Sequence, residues 1–275
     1  MPDLAVPQPY DFAASTERFR AYGVDRANVW HSGGLYRVLA GREVRVEAAP
    51  GGVRFSPGGR GVAEAVAHQL GLPFDLEGFW SRARHDPVLA GLAQPLAGYR
   101  PPLALDPWEM LVTSITAQQV SLHAACAVRS RLIERFGVRH DVAFSFPARD
   151  RIALAREEEI VAVGFSRRKA EYVTGLARSE LDLDALAARS DEEVVEAITS
   201  VRGLGRWTAD WFLARCLARP DAWPAGDLGV RKAVSWFYGE GQMLTEEETR
   251  SVGERFGRLR NIACHMLLAG LRSAG

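Results

Sequence analysis

The stretch Ile198-Thr199-Ser200-Val201-Arg202-Gly203-Leu204-Gly205-Arg206-Trp207-Thr208-Ala209-Asp210-Trp211 decides how the rest of this chain is read. Two glycines flank one apolar residue between two helix-like segments. The spacing predicts a very tight helix-to-helix turn, in which glycine supplies unusual dihedrals and a close backbone approach. Such a turn leaves the first amide N–H groups of the Arg206 helix facing outward, with the Thr208 hydroxyl beside them, and this arrangement binds phosphate. The same residues also fit a hairpin that uses its glycines only to turn, the usual meaning of a lone Gly-x-Gly. A Rossmann nucleotide site is excluded, because no strand precedes Gly203 and the third glycine is missing.

A second element follows at short distance: Trp223-Pro224-Ala225-Gly226-Asp227-Leu228-Gly229-Val230-Arg231-Lys232, with an aspartate opening another helix. Alone, Asp227 reads as an N-cap, a common use of aspartate.

Around these elements the pattern is helical from Phe74 onward. Past residue 106 it predicts an all-α bundle with helices over residues 108–136, 149–163, 166–177, 191–200, 206–219, 228–238 and 245–271, the last interrupted near Gly257. Ser190 and Glu193 stand in capping-box spacing at the start of the 191–200 helix. Before it, β-type runs at 30–39, 44–47 and 51–55, punctuated by Pro50-Gly51-Gly52 and Pro57-Gly58-Gly59, predict a small antiparallel sheet. The fold class is therefore α+β, with an N-terminal sheet domain over 1–106 and a helical domain over 107–275.

Composition sets bounds on function. The 34 Lys and Arg are matched by 34 Asp and Glu, and the balance persists on both sides of Pro107, 11 of each before it and 23 of each from it onward. Any affinity for nucleic acid must then come from local geometry rather than net charge. Cys126, Cys216 and Cys264 are far apart and odd in number, which argues against disulfides, zinc and iron–sulfur clusters. No apolar run approaches the roughly 20 residues of a membrane span, and the N-terminus lacks a signal-peptide pattern. The expectation is a cytoplasmic protein with no membrane partner.

The hairpin and Asp227 together resemble the helix-hairpin-helix DNA glycosylases, in which a turn of the form L-x-G-x-G-x-x-T-A is followed by a catalytic aspartate opening the next helix. Further segments are similar to the alkylation-repair branch, the 3-methyladenine DNA glycosylase II type. They are Asp106-Pro107-Trp108-Glu109 with Ile115-Thr116-Ala117-Gln118-Gln119-Val120-Ser121, then Gly164-Phe165-Ser166-Arg167-Arg168-Lys169-Ala170, and Arg258-Leu259-Arg260-Asn261-Ile262-Ala263. The N-terminal sheet fits that family's TATA-binding-protein-like domain.

The resemblance implies a monomeric enzyme that flips an alkylated base out of double-stranded DNA and cuts its glycosidic bond. Asp227 would stabilise the oxocarbenium-like sugar. Trp207 and Trp211, four apart on one helix face, would line the base pocket, where π-rich walls suit an electron-poor base; core packing is their other reading. Leu259 would replace an aromatic pocket wall, widening the pocket so that 1-methyladenine and 3-methylcytosine fit. DNA contacts would fall on Gln118, Gln119, Ser121, Gly203, Gly205, Thr208, Arg260 and Asn261, with Gln119 as the duplex wedge in place of leucine. No cofactor is required, and the resemblance implies a structural Na+ or K+ held by the backbone carbonyls of Thr199, Val201 and Leu204.

Two other readings compete. A bifunctional glycosylase/lyase would need a lysine immediately before Thr208, where Trp207 stands. A non-catalytic hairpin module that only binds DNA would have no use for a carboxylate beside phosphate.

Overall fold

The computed structural model describes residues 3–274. Five antiparallel strands, β1 (Leu4–Ala5), β2 (Val29–His31), β3 (Gly34–Leu39), β4 (Arg42–Ala49) and β5 (Gly52–Ser56), form one sheet in the order β1-β5-β4-β3-β2. The run over 30–39 is two strands rather than one. Ser32 and Gly33, at φ of 47° and 73°, make a two-residue turn of the kind that matches strand twist. Ala40 and Gly41 repeat it between β3 and β4, at φ of 47° and 74°.

Fourteen α-helices and three short 3-10 turns complete the described chain. α1 (Phe12–Thr16) lies between β1 and β2; α2 (Val62–Gln69), α3 (Leu76–Ala83) and α4 (Pro87–Leu92) follow the sheet. The bundle continues with α5 (Pro107–Ala117), α6 (Leu122–Phe136), α7 (Arg149–Leu154), α8 (Glu157–Ala162), α9 (Arg167–Arg178) and α10 (Asp191–Thr199). It ends with α11 (Arg206–Arg215), α12 (Leu228–Tyr238), α13 (Glu246–Glu254) and α14 (Arg260–Ala274), the last two separated by a short 3-10 turn at Gly257–Leu259.

Two segments expected as single helices are pairs. The 108–136 segment breaks after Ala117, where Gln118 turns extended, Gln119 takes a left-handed φ of 55° and Ser121 caps a fresh helix through Ala124 N. The 149–163 segment breaks at Ala155, which is extended at ψ 148°. Both breaks arise from caps and dihedrals that an uninterrupted apolar period conceals.

Two apolar cores result. Leu35, Val44, Val46 and Val53 of the sheet close against Val62, Val66 and Leu70 of and just after α2. The helical core begins at Phe74 and takes in Leu76, Phe79, Leu89 and Leu92, so α3 and α4 pack with the bundle although they precede residue 106. Between the cores, Asn28 Oδ1 accepts from Arg37 at 2.6 Å and Gln69 at 2.9 Å, and Arg37 pairs with Glu109 of α5 at 2.6 Å.

Candidate active site

The hairpin forms as α10, a turn over 200–205, and α11. Ser190 and Glu193 make the reciprocal capping box that starts α10. Gly203 has φ 92°, and a Cβ there would fall 2.2 Å from the Tyr172 ring, so the turn needs glycine on both counts. Gln118 braces it by donating its Nε2 to the Gly203 carbonyl at 2.8 Å. Gly205 caps α11 in extended conformation without a side-chain hydrogen bond, and nothing lies within 4 Å of where its Cβ would be. The first N–H groups of α11 therefore start from an uncrowded backbone. Thr208 does not add a free hydroxyl there; it is 1% exposed, packed into the helical core side of α11.

α11 brings Trp207 and Trp211 onto one face, and both indole N–H groups donate to the same oxygen, Oδ2 of Asp227, at 2.7 and 3.0 Å. The other oxygen, Oδ1, accepts from Val230 N at 3.0 Å and so caps α12. The turn before it is fixed by Asp227 N to the Pro224 carbonyl at 3.0 Å and by Trp223, whose indole N–H reaches the Thr249 carbonyl. Asp227 is thus both an N-cap and a half-buried carboxylate held by three N–H donors. Trp211 is 5% exposed, while Trp207 is half-buried.

Beyond Trp211 lies a cavity of about 210 Å³ between the segment after α1 and the bundle. Its walls include Arg18, Tyr22, Tyr99, Arg215, His265 and Leu268. The Arg215 guanidinium stands 3.9 Å from the centroid of the Trp211 ring, and His265 is 6.0 Å from the same ring. Leu268 joins the cavity to the carboxylate: it lies 3.7 Å from the Cβ position of Gly229, which is itself 3.0 Å from Asp227 Oδ1. Burial, reinforced by Arg18, pushes the Arg215 guanidinium down to about 9. His265 is lowered well below the ordinary imidazole range, by burial first and then by Arg215, Arg18 and Arg272.

The remaining candidate residues divide. Gln119 is exposed on the α5–α6 turn, flanked by exposed Val120 and Leu122. Ser121 spends its hydroxyl capping α6. Asn261, expected at DNA or near Asp227, is fully buried instead, donating its Nδ2 to the Ala214 and Arg219 carbonyls at 2.9 Å and so tying α14 to the end of α11. Arg260 follows the 3-10 turn and is half-buried. Leu259 is half-buried and packs against the helical core; like Asp227, Trp207 and Trp211, it is not among the residues that line this cavity. Arg18, Arg215 and His265 escape a sequence reading. Only Arg215 leaves a local trace, one helical turn beyond Trp211.

The HhH-GPD superfamily model of base excision DNA repair proteins matches residues 112–258. DNA-3-methyladenine glycosylase from Bacillus subtilis is 28% identical over 195 residues, covering 68% of this chain and 64% of that protein. The Saccharomyces cerevisiae DNA-3-methyladenine glycosylase is 32% identical over 148 residues, covering 51% and 49% respectively. The chain thus spans less than two thirds of the length of these two relatives. The solved 3-methyladenine DNA-glycosylase of Archaeoglobus fulgidus superposes with a TM-score of 0.84 at 30% identity, covering 97% of this chain and 96% of that one.

Proposed function

The chain belongs to the HhH-GPD superfamily of base excision DNA repair proteins, and from that premise we propose that it is a monofunctional DNA glycosylase releasing alkylated bases, 3-methyladenine among them, from duplex DNA. The observation that carries the reading is the convergence of two indole N–H groups on the Asp227 carboxylate. Breaking an N-glycosidic bond leaves positive charge on the sugar, and a carboxylate whose orientation is already fixed stabilises that charge without reorganising. Trp207 and Trp211 act here as positioning residues. A methylated purine carries its own positive charge as leaving group, so no paired acid is needed.

Monofunctionality rests on Trp207, which occupies the place where a lyase needs a lysine nucleophile. The hydrolysis draws on no cofactor. A hairpin Na+ or K+ would be held by the carbonyls of Thr199, Val201 and Leu204. The Val201 carbonyl already accepts from Leu204 N at 3.0 Å, whereas among the described residues no backbone N–H outside regular elements reaches the other two. No described helix is long and apolar enough to cross a membrane, and the proposed setting is the cytoplasm, acting on DNA as a monomer. The test is base release from duplexes carrying one 3-methyladenine, with borohydride present in a parallel reaction. Free base and an intact abasic strand are expected; a trapped protein–DNA adduct would overturn monofunctionality, and no release would overturn the activity.

A further inference from the structure

α9 touches both turns that would grip a duplex, the α5–α6 turn over 118–121 and the hairpin turn over 200–205. From its first turn Lys169 donates its Nζ to the Thr116 carbonyl at 2.9 Å. Three residues on, Tyr172 presents its ring to Gly203, so closely that a Cβ there would fall 2.2 Å from it. Ser166 fixes where α9 starts by accepting from Lys169 N at 3.3 Å, and Arg202 of the hairpin turn pairs with Glu171 of α9. The two turns are also tied directly, by Gln118 Nε2 donating to the Gly203 carbonyl at 2.8 Å. The three elements thus close a ring of contacts.

The place of Lys169 is chemically specific. Thr116 lies in the last turn of α5, where carbonyls lack helical partners and a cation also meets the negative end of the helix. No N–H of the following turn reaches the Thr116 carbonyl. Among the described residues the Lys169 ammonium meets no carboxylate, and this carbonyl is its one hydrogen-bond acceptor. Two residues beyond Thr116 the chain leaves the helix, with Gln118 extended and Gln119 at φ 55°. The side chains that follow are exposed although two are apolar, Val120 at 45% and Leu122 at 52%. An apolar tip of this kind pushes between stacked bases only if its support does not yield, because unstacking and extruding a nucleotide costs free energy. Lys169 and Gln118 supply side-chain ties that hold that support.

Resting on the glycosylase reading, we propose that Lys169 is a positioning residue for duplex opening. It holds the tip over 119–122 at a set distance from the hairpin, so that extrusion of the base depends on it and cleavage of the glycosidic bond does not. The ammonium is spent on a protein carbonyl and makes no phosphate contact. The segment Gly164-Phe165-Ser166-Arg167-Arg168-Lys169-Ala170 therefore has a task separate from that of Asp227 and from that of the hairpin N–H groups.

The experiment compares single-turnover release of 3-methyladenine from a duplex, where the base must be extruded, with release from an unpaired bulge, where it is already free. A 2-aminopurine beside the lesion reports unstacking by its fluorescence. Lys169→Met keeps the aliphatic stem and removes the donor. Its duplex release should fall on the order of 10-fold, the scale of losing one hydrogen bond from a charged donor, and the unstacking signal should fall with it. Release from the bulge should stay at the wild-type rate. Lys169→Arg, which keeps charge and donors, should retain both duplex release and unstacking. Lys169→Gln loses the charge and shortens the reach, and it should repeat the duplex-only loss if Lys169→Met does not fold. The salt dependence of duplex binding should match the wild type in each variant, since no phosphate contact is lost. Equal losses on duplex and bulge, an undiminished duplex rate or a shallower salt dependence would overturn the proposal and leave the glycosylase reading intact. Release from neither substrate by the wild type would overturn that reading and this inference with it.

Discussion

The two walls of the cavity treat buried charge in opposite ways. On one wall Glu109, Arg37, Arg129 and Asp25 form a network in which each carboxylate meets a guanidinium and Arg37 also donates to Asn28, with Arg37 Nε left unpartnered. On the other, Arg18, Arg215 and His265 face the same space, with Arg215 Nε and His265 Nε2 unpartnered. A buried charge is tolerated when paired, and breaking such a pair is far costlier than omitting it. The paired wall therefore joins the sheet to α5, whereas among the described residues Arg18 and Arg215 of the other wall meet no carboxylate.

The largest expected effect comes from breaking the paired wall. Glu109→Gln leaves Arg37 and Arg129 buried without their shared carboxylate and should cost about 3–5 kcal/mol in urea denaturation. Acid should do the same more gradually. Burial would raise the Glu109 carboxyl, but Arg37 and Arg129 more than offset it and hold the group below its ordinary value. Its contribution is then complete above about pH 5, beyond the unfolded glutamate range, and is lost as pH falls through the lower folded value. Stability that stays flat from pH 6 to pH 3 would contradict the pairing.

Smaller effects sharpen the contrast. Asn28→Ala removes the acceptor shared by Arg37 and Gln69 and should cost about 1.5–3 kcal/mol by the same measurement. Arg18→Gln, on the unpaired wall and exposed to the cleft, should change stability by less than about 0.5 kcal/mol. A loss for Arg18→Gln as large as that for Asn28→Ala would mean that the two walls do not differ in kind.

What the sequence makes legible follows from the range of the interactions involved. The hairpin, the Ser190 cap and Asp227 depend on residues within one or two turns, so Gly203, Gly205 and Asp227 can be read directly from spacing. The tryptophans' convergence on one carboxylate oxygen is half legible: the four-residue interval sets the shared face, but the bond to Asp227 needs the loop over 216–227 to fold back. The breaks at Gln118–Ser121 and Ala155 are hidden because apolar spacing continues across them. Likeness of a local motif places Asn261 at DNA or near Asp227, whereas tertiary packing buries it between α14 and the end of α11. Arg18 and His265 line one cavity from nearly opposite ends of the chain, a juxtaposition no local pattern encodes.

The proposed function places the bond-breaking step on Asp227, oriented by Trp207, Trp211 and Val230. The most direct measurement is single-turnover release of 3-methyladenine by the wild type and by Asp227→Asn, with duplex binding followed in parallel. Asparagine keeps the size of the side chain and its ability to accept from Val230 N while removing the charge. The expected result is a fall in rate of at least about 100-fold, the scale of losing one preorganised electrostatic group, with binding retained. Release by Asp227→Asn at near wild-type rate would contradict it.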